Sequence, residues 1–398
     1  MVILCLIPFW SYAASSDAWT AHTSGTTNTL TAIAWNGTEF VTIGVDGTIL
    51  TSPDGVKWTK RTSGTTYDLV SIAWSGTKFV AVGSTDGNTP SVIVTSPNGV
   101  TWTIQSPGAT YGGFSAVTWN GTVFVALVSG DFIITGNIPI LTSPDGVTWT
   151  PHDSGTINTL WDLAWNGTQF AAVGSSGAIL TSPDGVTWTP RNSGTTDLLE
   201  GIHWNGTQFV AVGWDFATTG IILTSPDAVA WTARTSGTTK LLWSVTWSGS
   251  QFVAVGDHGT ILTSPNGSAW TAHRSGTTNA LEDIAGNGHL LVAVGVHGTI
   301  LSTSATASKV KITTQPKALT VKKGGTANFT VKATGTAPLT YQWQRNNANL
   351  ANKGNIAGAT SAKLTLTHVT SANAGKYRVI VANPAGKVTS VAVTLTVK

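Results

Sequence analysis

Cysteine, methionine and charge are all scarce in this chain: 398 residues hold one Cys, one Met and only 10% charged residues. The single cysteine, Cys5, lies in the apolar stretch Val2–Trp10, so the rest of the chain has no disulfide and no thiolate metal site. Helical periodicity is missing as well. That excludes a glycine-rich phosphate loop opening a helix, and it leaves no His-x-x-x-His pair to hold a metal. Long apolar runs are also lacking, because the nine residues of Val2–Trp10 are too few to cross a bilayer of ~30 Å. The last absence is regional. Residues 305–398 hold 11 Lys and 2 Arg but no Asp or Glu, a net +13, whereas residues 1–304 hold all 18 acids against 8 cations, a net −10.

What is abundant is glycine (44) and tryptophan (18), a composition suited to short strands and tight turns. Val2–Trp10 is followed by the small residues Ser11-Tyr-Ala-Ala-Ser15, so residues 1–14 read as a secretory leader cut after Ala13 or Ala14. It lacks the usual positive start, and the alternative is a buried first strand. The reading implies a secreted or cell-surface protein with no transmembrane segment in its mature chain.

From residue 15 to 304 the chain repeats. The stretch Thr181-Ser-Pro-Asp-Gly-Val-Thr-Trp-Thr189 recurs at Thr51 and Thr142 and, loosened, at Thr95, Thr224 and Thr263. Pro presets φ, Asp bonds its own backbone and Gly takes the positive-φ exit, so each copy is a turn between two strands. The tryptophan that opens the next strand is Trp19, Trp58, Trp102, Trp149, Trp188, Trp231 or Trp270, at spacings of 39, 44, 47, 39, 43 and 39 residues. Each copy carries three further strands. The first ends in Trp35, Trp74, Trp119, Trp165, Trp204, Trp247 or Gly286, and an Asn-Gly or Ser-Gly pair, expected as a two-residue hairpin turn, leads into the second. Asn36, Asn120, Asn166 and Asn205 also match glycosylation acceptors, but their repeated place favours the turn.

Four short strands per ~40 residues, seven times over, predict an all-β, seven-bladed β-propeller. The seventh copy has only three strands, and the orphan N-terminal strand Asp17–His22 is expected to complete it and remove a free edge. The turns resemble the Asp-box (BNR) repeat of sialidase-like propellers and of the photosystem II assembly factor family, with the box one residue short in Ser182-Pro-Asp-Gly-Val-Thr-Trp188. The resemblance implies that Asp54, Asp145, Asp184 and Asp227 are turn residues. It does not carry sialidase activity over. Arg61, Arg191, Arg234 and Arg274 all follow the outer strand's tryptophan instead of converging, and the family's Arg-Ile-Pro motif is absent.

Residues 305–308 are a linker, and residues 309–398 resemble a bacterial immunoglobulin-like β-sandwich. Trp343 in Tyr341-Gln-Trp-Gln344 matches its strand C tryptophan and Ala374-Gly-Lys-Tyr377 its tyrosine corner. The resemblance implies that Val331 and Val379 stand at the disulfide positions and that Asn373 replaces the usual Asp. The basic charge suits association with an anionic surface such as an envelope polymer, or docking on the acidic repeats, or solubility alone. No specific nucleic-acid motif accompanies it.

Thirteen tryptophans are explained by the repeat, while Trp161, Trp214 and Trp243 are not. All three fall on the face where copies differ, in copies four, five and six, near Asp197, Glu200, Asp215, Phe216 and Lys240. Tryptophan beside carboxylates suits a sugar, with rings stacked and hydroxyls fixed. Trp161 and Trp243 share their position with Thr31, Val70, Ser115, Glu200 and Glu282, so packing does not demand tryptophan there. The sequence therefore reads as a non-enzymatic binding or adhesion protein for a glycan, cell-surface polymer or protein, with no cofactor and no metal. One alternative is a polysaccharide hydrolase using Glu200 and Glu282, with Asp162 and Asp283 beside them, since glycoside hydrolysis needs two carboxylates. Another is an assembly factor, on analogy alone.

Overall fold

The computed structural model describes residues 19–85, 88–105, 112–129, 136–304, 309–335, 339–383 and 386–398. The expected leader (1–14) and linker (305–308) lie outside the described residues. The fold is all-β, with no α-helix among the described residues. Residues 20–304 form seven four-stranded antiparallel sheets, the first six each a simple up-and-down run. The first is Leu30–Trp35, Phe40–Gly44, Thr48–Ser52 and Thr59–Arg61. In the seventh, Leu281–Gly286, Leu290–Gly295 and Thr299–Ser304 are joined by Thr20–His22, paired as Thr20 with Ser302 and His22 with Ile300. His22 Nε2 adds a bond of 2.7 Å to Ser302 Oγ. The leading strand of each sheet contacts that of the next, and Leu30–Trp35 also contacts Leu281–Gly286 of the seventh.

Local chemistry explains the monotony. In the box turn Asp54 Oδ1 accepts the amides of Val56 and Lys57, both at 2.9 Å, and the Ser52 hydroxyl at 3.0 Å. Those amides hold the Asp54 carboxyl below its ordinary range, and Asp145, Asp184 and Asp227 are depressed by the same kind of bond. Gly55, at φ +68°, passes so close to the seventh sheet that a Cβ would meet Leu290 Cδ2 at 2.4 Å. The Asn-Gly segments differ from the two-residue turns expected. Trp35 pairs with Phe40, so Asn36–Glu39 is a four-residue loop. Asn36 Oδ1 accepts the amides of Thr38 and Glu39 and the Thr38 hydroxyl, each at 2.8 Å, which is why Thr follows Asn-Gly.

The cores lie between sheets. The second strand is buried along its whole length in Phe40–Gly44, Phe170–Gly174 and Phe252–Gly256. Each second-strand Phe of the first six sheets packs at a tilt against the tryptophan ending the leading strand, as Phe40 against Trp35 at 4.6 Å and Phe124 against Trp119 at 4.4 Å.

Residues 309–398 form a separate sandwich with one core around Phe329, Trp343 and Tyr377. Val331 and Val379 are both buried in it. The Tyr377 hydroxyl donates to Asn373 O at 2.6 Å, a tyrosine corner, and Asn373 Oδ1 caps the Thr370 amide at 2.8 Å.

Candidate functional site

All seven sheets share one irregularity. Register slips once in each leading strand, between Leu30 and Ala32 in the first sheet and at the equivalent place in the other six. A bulge leaves one residue unpaired and re-aims its side chain. The seven bulged residues are Thr31, Val70, Ser115, Trp161, Glu200, Trp243 and Glu282, and all seven line a single cavity of about 670 Å³. The position that sequence comparison isolates as variable is therefore the position the backbone turns toward one space. The bulge sits at the end of the leading strand that pairs with Gly44, whereas the box turns lie at the Trp35 end.

The cavity is lopsided. Thr31, Val70 and Ser115 make one side small, while Trp161, Glu200, Trp243 and Glu282 alternate indole and carboxylate around the other. Trp161 is 36% exposed. Trp243 is oriented by its Nε1 donating to Asp257 Oδ1 at 2.9 Å. Beneath this row the side chains tie neighbouring leading strands together. Asp162 Oδ2 accepts the Ile202 amide at 2.9 Å, and Asp283 accepts the Ile33 amide at 2.8 Å and the Ser244 hydroxyl at 2.7 Å. The two aspartates are therefore structural clasps. Glu200 and Glu282 have no hydrogen-bond donor among the described residues and are free to meet a ligand.

Asp68, Asp162, Glu200, Glu282 and Asp283 line the cavity, and none of its described lining residues is Lys, Arg or His. Burial, then the charge of Glu282, raises Glu200 to about 7. Glu282 is likewise raised to about 7 by burial and by Asp257 and Asp283. Burial lifts Asp162 to about 7 against the pull of its two amide donors, and Asp283 is also raised, chiefly by burial. No group of three or more His, Cys, Asp or Glu among the described residues could hold a metal ion.

The predicted site residues divide. Trp161, Glu200 and Trp243 meet in the cavity with Glu282; Asp197, Lys240, Trp214, Asp215 and Phe216 do not line it. Asp197 and Lys240 occupy loops between sheets. Asp197 accepts the Thr195 hydroxyl and, through its carbonyl, the Gly177 amide at 2.6 Å; the Lys240 amide donates to Thr238 Oγ1 at 3.1 Å. Trp214, Asp215 and Phe216 form a hairpin tip of the fifth sheet. Asp215 Oδ1 accepts the amides of Ala217, Thr218 and Thr219, which lower its pKa to about 2. Phe216, at φ +60°, is 63% exposed and lies 5.4 Å from the Trp214 ring. Residues that the sequence reading did not single out, including Asp68 and Phe114, also line the cavity. Both precede the bulge; Phe114 holds the apolar position that is Leu30, Leu69, Leu160, Leu199, Leu242 and Leu281 in the other copies, whereas Asp68 has no such repeat signal.

Comparison with known proteins bears on the C-terminal part. The profile of the Immunoglobulin I-set domain matches residues 310–397, and this segment is an immunoglobulin I-set domain. A protein named Endoglucanase C from Cellulomonas fimi is 37% identical over 89 residues, which is 22% of this chain and 8% of that protein. Among solved structures, an I-band fragment of titin matches at 29% identity and TM-score 0.21, over 23% of this chain and 32% of that one. A chimeric titin carrying a decorin peptide matches at 28% identity and TM-score 0.21, over 24% of this chain and 98% of that one. No helix among the described residues is long and apolar enough to cross a membrane.

Proposed function

We propose that the chain is a secreted or cell-surface binding protein, in which a seven-bladed Asp-box β-propeller holds a glycan in its axial cavity and the basic immunoglobulin domain attaches to an anionic surface. The propeller reading is supported by seven like sheets whose leading strands adjoin in series, the first beside the seventh, and by Thr20–His22 as fourth strand of the last. The observation that carries the binding reading is the convergence of seven bulged residues on one cavity, two of them tryptophans that packing does not require. An immunoglobulin domain whose eleven lysines are all exposed suits attachment to a polyanion. The match to an endoglucanase fits a protein working at polysaccharides.

The rival reading, hydrolysis by Glu200 and Glu282, draws on two carboxyls that share one cavity. Glycoside hydrolysis uses one protonated and one ionised carboxyl, with environments that separate their pKa values. Here burial raises both, and no described residue donates a hydrogen bond that would hold one of them ionised, which favours binding over turnover. Screening the full chain on a glycan array tests the proposal: a glycan retained by the native chain and lost by both Trp161→Ala and Trp243→Ala supports it. Retention unchanged in both variants overturns it.

A further inference from the structure

The cavity joins two features that call for different things from a ligand. Its indoles offer flat apolar faces, suited to a sugar ring or to a cation over the ring. Five of its lining residues are acidic, with no cation among the described lining residues; amides and a hydroxyl meet Asp162 and Asp283, but Glu200 and Glu282 have no donor, so a ligand that leaves these two unmet costs them their solvation. An anionic ligand is repelled. A neutral sugar stacks but leaves the charge unmet. A ligand carrying a positive charge on a sugar ring answers both features, and the hydroxyl-bearing side, with Thr31, Ser71, Ser115 and Thr159, can face ring hydroxyls.

We propose, building on the glycan-binding reading, that the cavity is selective for an amino sugar with a free ammonium group, held between Glu200 and Glu282 with its ring against Trp243 or Trp161. These four side chains come from four successive sheets, so the alternation of indole and carboxylate is continuous along one wall. Trp243 is fixed by Asp257, whose charge also acts on Glu282, and its strand contacts the strands that carry Glu200 and Glu282. The charged groups facing the ammonium position are Asp68, Asp162, Glu200, Glu282 and Asp283, with Asp257 behind Trp243. The basic immunoglobulin domain repels such a ligand, so binding of a cationic sugar reports on the repeat region.

The test uses the full chain and two oligosaccharides of equal length, a β-1,4-linked glucosamine hexamer and its fully N-acetylated counterpart. They share rings and linkage and differ in charge. Calorimetry near pH 6 is expected to show the free-amine hexamer binding at least tenfold more tightly, with affinity falling as salt is raised. Glu200→Gln and Glu282→Gln should each remove about tenfold of that preference while leaving thermal melting at pH 6, where the buried carboxyls are largely protonated, nearly unchanged. Binding should also release protons, read as a dependence of the heat on buffer, because the ammonium favours ionised carboxyls that burial holds near neutrality. Equal affinity for the two hexamers overturns the cation proposal and leaves the glycan reading standing. Failure to bind either, when Trp161→Ala and Trp243→Ala abolish capture of a neutral glycan on the array, overturns only the cation proposal. A lysine-rich peptide bound as tightly as the amino sugar overturns the assignment to a sugar.

Discussion

Trp343 and Trp161 both sit in strands of an all-β protein, yet one is fully buried and the other is over a third exposed. The contrast extends to the regions that hold them. The immunoglobulin domain gathers its large side chains into one core, with Phe329 5.9 Å from Trp343 and 4.8 Å from Tyr377. The repeat region divides its apolar residues into clusters between neighbouring sheets, each using residues of two sheets, and leaves a polar, acidic space where the leading strands meet. A single core allows no exposed tryptophan in its middle. A core divided among seven interfaces leaves a shared space that each sheet lines with one bulged residue. Charge follows the same division, with the cations of the immunoglobulin domain spread over its surface and five of the chain's acids lining one cavity.

Removing residues 1–22 should have the largest effect on this contrast. It strips the fourth strand from the seventh sheet and exposes the edge of Thr299–Ser304, so the repeat region should lose several kcal/mol or aggregate. The immunoglobulin domain should melt unchanged. A single calorimetric transition lost as a whole would show that the two regions fold together.

Trp343→Ala should cost the immunoglobulin domain ~3–5 kcal/mol, because a fully buried indole leaves a cavity. Trp161→Ala should leave the melting of the repeat region nearly unchanged and cost ligand binding roughly 1–3 kcal/mol. Denaturant unfolding of both variants checks the pair, and an unfolded Trp161→Ala chain would make that residue core. In the hydrolytic reading, by contrast, Glu200→Gln abolishes turnover of a polysaccharide while binding persists.

Binding of the full chain to an anionic polymer should weaken steeply with salt, since thirteen cations in residues 305–398 face no acid of their own domain. Sedimentation with the polymer across a salt series measures it, and salt-independent retention would remove the charge argument.

The smallest effect is on pH. Asp162, Glu200 and Glu282 have pKa values raised to about 7 in the fold, above their unfolded values, so the folded chain binds more protons than the unfolded one near neutrality. Stability of the repeat region should therefore rise by a few degrees in Tm as pH falls from about 8 to about 6.5. Buried His203, pushed down to about 4, acts in the opposite direction only below about 6.5, where the unfolded chain takes up its proton first. Glu200→Gln should flatten the rise. A Tm that increases toward pH 8 would contradict the burial of these carboxyls.

Repeat spacing, box turns and the Trp343 and Tyr377 landmarks made the seven sheets, the N-terminal fourth strand and the immunoglobulin domain legible in the sequence. Each is a local pattern, satisfied by hydrogen bonds and contacts within a few residues or one hairpin. The Asn-Gly loop was misread because a dipeptide does not state loop length. There the Asn side chain takes two amides and a hydroxyl, and lengthens the turn to four residues. For the site, sequence comparison found the variable position but grouped eight residues that the fold separates. Trp161, Glu200 and Trp243 share a cavity because register slips at one place in every leading strand, where Gly174, Gly213 and Gly256 of the second strands pass so close that a Cβ would meet the carbonyl oxygens of Thr159, Leu198 and Leu241 within 2.1 Å. Trp214, Asp215 and Phe216 were joined to them by exposure and type, and the hairpin they occupy holds them outside that cavity. Residue order determined what each sheet is; where seven sheets turn one residue apiece toward common space was decided only by their packing.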